Sequence, residues 1–351
     1  MLELEVSVVC YILNNMLISP LSLLYLIQYL QPHRPIWRMN LRRHSVIRPA
    51  SELKAEHTDF VIFVVHGVGG GELLEGQYVD DFRRSLDAVK LHHWPIKTRN
   101  KNTDMTPPNY HVELVEWKSV VLPDQRALLR RLKPPSPVHI EGVRDLADSA
   151  AADILFFSTG SQRERILNRV QQSIESKLQS LRNYEKFEKS KIVLVGYSLG
   201  SMILYELLEK LAVSQAHKFH VSALFLFGSP LSAYRSLTGD TNLLLHLPKT
   251  LPYYNIIHPF DPIAFRQEPL VDTHSVDELP IVIPHWKIHP YETLASPKPE
   301  RCKYDFTLQA NDPIKELGPL FTAIAMCNSH KCYFQNRDVA SFVLTQLMRL
   351  M

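Results

Sequence analysis

Residues 191–208 read KIVLVGYSLGSMILYELL, and this stretch decides how the rest of the chain is read. Ile192–Val195 is an apolar run rich in β-branched residues, the composition of a buried strand. GYSLG follows at 196–200, and a long apolar segment without proline begins at once after it. Strand, sharp turn and helix together make the elbow that lifts a serine onto a strained, exposed-edge backbone position. Glycines at 196 and 200 fit that geometry, because bulkier residues there would collide with the adjoining strand and helix. The helix starting at Leu199 aims its first N–H groups at the reacting centre. Ser198 is therefore the candidate nucleophile, weighed against an incidental serine on an ordinary strand–turn–helix.

Working outward, other segments have strand character. DFVIFVVHGVGGG (59–71) is an unbroken β-branched and aromatic run ending in glycines, which suits a strand buried on both faces. HVELVEW (111–117), VSALFLFGSP (221–230) and YYNIIHPFDP (253–262) read as further strands, with a short one at 280–283. Helical patterning occupies 72–90, 124–133, 141–157, 161–189 and 199–213, and a last helix is expected at 338–349. Strands alternating with helices predict an α/β, α/β-hydrolase-like fold: a doubly wound, mostly parallel sheet with flanking helices. The leucines between Leu243 and Leu251 make 235–252 the candidate for a lid.

A serine nucleophile needs a base, and the base needs an orienting acid, in the chain order Ser, acid, His for this architecture. Asp261 in HPFDP follows the 253–257 strand, where catalytic groups of open α/β sheets lie. A plain Asx turn before Pro262 is the competing reading, and Asp272 and Asp277 are reserves. His330 in NSHKCYF follows the acid and directly precedes the last helix; His258, His274, His285 and His289 do not meet both conditions. The oxyanion hole is expected from backbone N–H groups of Leu199 and of the loop His66-Gly67-Val68-Gly69, with Val68 preferred and Gly67 next. His66 is expected to anchor that loop.

Composition narrows the class. The chain has 351 residues, 45% of them hydrophobic, enough for one large core, and its net charge of +3 gives no reason to expect nucleic acid. The four cysteines, Cys10, Cys302, Cys327 and Cys332, form no CxxC pair, and there is no Asn-x-Ser/Thr sequon. Both features favour a reducing, cytoplasmic setting with thiols free and partly buried. No cofactor and no metal are expected.

Val6–Leu30 carries no charge and is long enough to span a bilayer, but Asn14, Asn15 and Ser19-Pro20 interrupt it. Glu3 and Glu5 precede it, unlike a cleaved signal. Arg34, Arg38, Arg42, Arg43 and Arg48 follow, each able to contribute roughly 1 kcal/mol near an anionic lipid surface. Residues 1–50 are read as a membrane-associating segment, peripheral or anchored on an intracellular membrane, and 51–351 as the hydrolase domain.

Several blocks resemble the DDHD-domain intracellular phospholipase A1 family: VVHGVGG (64–70), ADILFFS (152–158), VLVGYSLGS (193–201), LFLFGSPLSAYR (224–235), YNIIHPFDPIAFRQEPL (254–270) and SHKCYFQNRDVASFVL (329–344). The resemblance implies phospholipid ester hydrolysis, with phosphatidic acid preferred, at the sn-1 position. It puts the nucleophile, acid and histidine on Ser198, Asp261 and His330, the same residues reached from fold logic. Of the three aspartates and one histidine that name the family, Asp338 matches another, without a known role. The fourth falls in Arg301-Cys302-Lys303-Tyr304, where Lys303 replaces an acid and Asp305 lies two residues on. That departure argues against a metal site built from all four. The substrate and partners expected are thus a phospholipid and an anionic membrane surface. A general carboxylesterase, an acyltransferase and an inactive lipid-binding module remain the alternatives.

Overall fold

A computed structural model describes residues 57–69, 72–95, 106–132, 141–214, 219–239, 243, 247–295, 304–309, 326 and 328–351. The N-terminal membrane-associating segment lies outside these residues, as do Cys10, Cys302, Cys327, Arg301 and Lys303. No helix among the described residues is long and apolar enough to cross a membrane.

The chain order is β1 (Phe60–Val65), α1 (Glu72–His93), β2 (Tyr110–Val115), α2 (Leu122–Leu132), α3 (Glu141–Ser158), α4 (Gly160–Arg182), β3 (Lys191–Tyr197), α5 (Leu199–Ser214), β4 (Val221–Phe227), α6 (Leu231–Thr238), β5 (Tyr253–Ile257), α7 (Glu268–Val271), β6 (Ile281–Val282), α8 (Pro290–Ala295), β7 (Asp305–Thr307) and α9 (Arg337–Leu350). The seven strands form one sheet in the order β2-β1-β3-β4-β5-β7-β6, and every pairing is parallel. This is the α/β, hydrolase-like architecture that the alternation of elements predicts.

The period-2 pleat splits each central strand between two cores. Phe60, Ile62 and Val64 of β1, Val193 and Val195 of β3, and Phe225 and Phe227 of β4 face α1 and α9, against Phe82, Val343 and Leu347. Val61, Phe63, Val65, Leu194, Leu224 and Leu226 face the other way, against Ile166 and Val170 of α4 and Ile203 of α5. All six β1 residues are buried, which is why their sequence is uniformly apolar instead of alternating.

After β1 the chain crosses to β2 on one side of it, and β3 then adds on the other side. Neighbouring crossovers therefore diverge between β1 and β3, and a crevice opens beyond their carboxyl ends. The register pairs Val65 with Gly196, so the loop after β1 and the elbow after β3 flank that crevice.

Three expectations are corrected. The long polar helix ends at Arg182 rather than Lys189, and a 3-10 turn at Glu185–Phe187 follows. Phe187 is buried there, and Thr58 N–H donates to Lys186 O, so the chain turns beside the start of β1 and runs on into β3. Strand β7 has no counterpart among the strands read from the sequence: three residues are too few to show a pattern, yet they sit between β5 and β6. The lid expected at 235–252 does not cover the elbow in its described part. Leu243 and Leu247 are core residues, and Pro248–Pro252 borders a cavity of about 560 Å³ at the opposite, amino-terminal edge of β4 and β5.

Candidate active site

Ser198 adopts φ 53°, the one non-glycine residue in the left-handed region among the described residues. Such a conformation costs about 1–3 kcal/mol and persists only where its surroundings over-determine it. They do so here. Ser198 N–H donates to Phe227 O at 3.0 Å, and Ser201 N–H donates to Ser198 O at 3.0 Å. A Cβ on Gly196 would lie 2.6 Å from Ser201 Cα, and one on Gly200 would lie 2.2 Å from Val65 O. The elbow thus requires both glycines, for the packing reason that the sequence suggests. Ser201 Oγ meets Ser229 Oγ at 2.7 Å, tying the base of the elbow to the end of β4.

Asp261 and His330 come together. His330 Nδ1 lies 2.9 Å from Asp261 Oδ2 and 3.0 Å from Oδ1. The Asx turn also forms, with Ile263 N–H donating to Asp261 Oδ1 at 2.9 Å, so the two readings of Asp261 hold together. Burial alone raises the Asp261 pKa. The His330 hydrogen bond and charge, with donation from Tyr333 and Ile263, outweigh it and hold the carboxyl below its ordinary range. His330 lies on a helical turn before α9, not in an open loop. Its ring packs on Tyr197, the residue before Ser198, at 5.1 Å between centroids. Tyr197 OH donates to His330 O at 2.8 Å. Gly228, at the end of β4, lies under the pair: its Cβ would fall 2.8 Å from Asp261 Oδ2 and 3.1 Å from His330 Nδ1. Ser198 Oγ makes no hydrogen bond to His330 in this state; catalytic contacts of this kind commonly tighten only when substrate is bound.

Tyr333 is a residue that sequence reasoning missed. It is fully buried, donates to Asp261 Oδ2 at 2.6 Å and accepts from His258 N–H at 2.9 Å. Burial comes first among the causes that push its phenol well above the usual range, so it remains a donor. Its position three residues after His330, on the same short segment, is the signal that marks it.

The loop after β1 approaches Ser198 closely. A Cβ on Gly67 would sit 2.7 Å from Ser198 Cβ and 3.2 Å from its Oγ, so only glycine fits. Among the described residues, no partner takes the backbone N–H of Val68 or Leu199. His66 is buried and stacks on Trp117, with ring centroids 5.2 Å apart. Burial lowers its pKa to about 4, so it is neutral at ordinary pH. Its ring nitrogen Nδ1 lies 2.8 Å from Gly67 O, which fits the anchoring role expected of it.

Val68, Ile154, Phe157, Ser158, Met202 and Ile263 are among the residues lining a pocket against Ser198 and Leu199. Its free volume of about 30 Å³ is far below that of an occupied ligand site. Helix α3 supplies Ile154, Phe157 and Ser158 to this pocket, and no described residue of 235–252 lines it.

The loop carrying Asp261 is held from below. Asp305 is buried and accepts Gln267 N–H, Glu268 N–H at 3.0 Å and Asn255 Nδ2–H at 2.8 Å. Glu268 in turn accepts Tyr304 N–H and Asp305 N–H. Burial pushes the Asp305 carboxyl up. Asp338 stands apart from this site: in the first turn of α9, it accepts Trp286 N–H at 2.8 Å. Among the described residues, no group of three or more His, Cys, Asp or Glu is placed to hold a metal ion. Cys332 is a free thiol, and burial pushes its pKa up to about 12.

Residues 218–300 match the DDHD domain family. Phospholipase DDHD1 of Bos taurus is 28% identical over 342 residues, covering 78% of this chain and 37% of that protein. A probable mitochondrial phospholipase of Saccharomyces cerevisiae is 24% identical over 355 residues, covering 83% and 49%. Intracellular phospholipase A1 of Caenorhabditis elegans is 24% identical over 311 residues, covering 68% and 35%. The chain thus spans between about a third and a half of the length of these relatives. No solved structure matches it. Residues 218–300 thus match the DDHD domain, and the chain is similar over most of its length to these phospholipases.

Proposed function

We propose that this protein is a serine hydrolase that cleaves an acyl ester of a glycerophospholipid, with Ser198 as nucleophile, His330 as general base and Asp261 as its orienting acid. The observation that carries the reading is the Asp261–His330 pair, seated beside the strained elbow of Ser198 and bound to it through Tyr197. The phospholipase names of the relatives support the lipid class.

The steps follow from the residues. Asp261 accepts the Nδ1 proton of His330 and leaves Nε2 free to take the Ser198 hydroxyl proton. Ser198 Oγ attacks the acyl carbonyl, and the resulting oxyanion is bound by the N–H groups of Leu199 and Val68. His330 returns the proton to the departing glycerol oxygen. Water, deprotonated by His330, then attacks the acyl-Ser198 ester; His330 passes that proton to Ser198 Oγ as the acyl–oxygen bond breaks and the fatty acid is released. The walls contributed by Ile154, Phe157 and Met202 suit an alkyl chain. Phosphatidic acid and sn-1 attack are the finer parts of the proposal, and an anionic membrane surface is the partner it implies.

Purified protein assayed on vesicles of phosphatidic acid, phosphatidylcholine and phosphatidylserine tests the reading. Ser198→Ala is expected to lose turnover on all of them by several orders of magnitude, and undiminished hydrolysis by that variant refutes the mechanism. A head-group panel in which only soluble esters are cleaved favours a general carboxylesterase instead.

A further inference from the structure

Asp153 of α3 is fully buried, and its two oxygens take three donors from three separate segments. Gly69 N–H donates to Oδ2 at 2.9 Å, Lys118 Nζ to Oδ2 at 2.8 Å and Gln125 Nε2 to Oδ1 at 2.9 Å. Lys118 is itself buried and also donates to Ser149 Oγ at 2.8 Å. Burying an ammonium and a carboxylate costs several kcal/mol per ion unless the two are paired and hydrogen-bonded. Such a pair is weak evidence for net stability, so its geometry is the feature to explain. Here one of the three donors is the backbone of the loop that faces the nucleophile.

We propose that Asp153, neutralised by Lys118, is a positioning residue that fixes the 66–69 loop so that the N–H groups of Gly67 and Val68 face the acyl oxygen on Ser198. The inference rests on the hydrolase reading above. The loop is clamped at both ends. At its start, Trp117 Nε1–H donates to His66 O at 3.2 Å and the two rings stack. At its end, Gly69, with φ 71°, is tied to Asp153. Between the clamps lies Val68, whose N–H no described residue takes up.

The clamp also assigns the donors. With the Gly69 N–H engaged, the loop's contribution to the oxyanion site falls to Val68 and Gly67. The charge balance matters as much as the geometry. An unpaired carboxylate bonded to the residue after Val68 would oppose the developing negative charge. Lys118, at 2.8 Å, cancels that field while leaving the acceptor in place. The same helix carries Ile154 and Phe157 in the wall of the pocket. Movement of α3 to admit an acyl chain is therefore transmitted to the loop through one side chain.

The test uses the full chain and a soluble short-chain p-nitrophenyl ester, with kcat expressed per Ser198 titrated by a fluorophosphonate. The inhibition constant of an alkylboronic acid, which fills the oxyanion site as a transition-state mimic, is measured alongside. The double variant Lys118→Met/Asp153→Leu removes both charges of the pair, so neither is left buried without its partner. It is expected to lose about 10²-fold in kcat with KM within about threefold, and boronate binding weakens in parallel. Asp153→Asn still accepts the Gly69 N–H and is expected to retain activity within about tenfold of the parent. Gln125→Leu keeps the ion pair and is read if the double variant does not fold; a fall of about threefold or more, matched by the boronate, is expected. Unchanged kcat per site and unchanged boronate affinity in a folded variant overturn the inference, as does a loss confined to the titratable fraction or to thermal stability. A parent that neither hydrolyses the ester nor labels at Ser198 instead refutes the hydrolase reading on which the inference rests.

Discussion

Tyr333 and Asp261, 72 residues apart in sequence, are joined by a 2.6 Å hydrogen bond that places the phenol on the same carboxylate oxygen His330 approaches at 2.9 Å. The phenol also accepts the His258 N–H, so it joins the start of the acid loop to the carboxylate that the loop presents. Tyr333→Phe removes both bonds without leaving a cavity. A loss of about 1–2 kcal/mol in stability is expected from urea unfolding, since a buried N–H is left without its acceptor. About a tenfold fall in kcat is expected as Asp261 gains freedom to leave His330. Unchanged kcat would remove Tyr333 from the account of the acid.

Asp261→Asn keeps the Asx turn but withdraws the charge that orients the imidazole. The expected fall in kcat is about 10³–10⁴-fold with KM little changed, measured on a soluble ester. An Asn variant within tenfold of the parent would shift the acid role to another residue.

Gly67→Ala tests the approach of the loop to the nucleophile. The added methyl would stand 2.7 Å from Ser198 Cβ, closer than packed carbons come. The loop must retreat, and with it the N–H groups of Gly67 and Val68. The expected result is a loss of about 10²-fold or more in kcat, with far-ultraviolet circular dichroism unchanged.

His66 supplies a pH dependence of stability whose sign is fixed. Its folded pKa is lowered to about 4 by burial, below the ordinary value near 6.5. Between those values the unfolded chain takes up a proton and the folded chain does not, so stability is intact above pH 6.5 and falls as pH drops towards 4. The loss amounts to a few kcal/mol at the lower end. His66→Phe retains a ring against Trp117 and removes the titration. Its urea midpoint is expected to change less than the parent's over that window, and parallel curves would contradict the assignment.

The elements that were legible in the sequence are those whose signal is local. β1 and β3 announce themselves because strands buried on both faces are apolar without interruption, and the elbow because two glycines must flank its serine. Chain order then located Asp261 and His330. What the sequence hid depends on contacts between distant segments. Asp153 sits in the apolar run AADILFF, where a lone carboxylate on a helix is a sign of a buried partner, but nothing in the run names Lys118, 35 residues away. β7 is too short to carry a period. The leucines of 243–251 gave the pattern of a mobile cover, but their described members fill the core instead, and apolar content alone does not separate the two.

The most direct test of the central claim is the site at which a fluorophosphonate probe attaches to the purified protein, located by peptide mass spectrometry. The account predicts a single adduct on Ser198, abolished by Ser198→Ala and strongly slowed by His330→Ala. No labelling of Ser198 in the folded parent, or equal labelling of the His330→Ala variant, would contradict it.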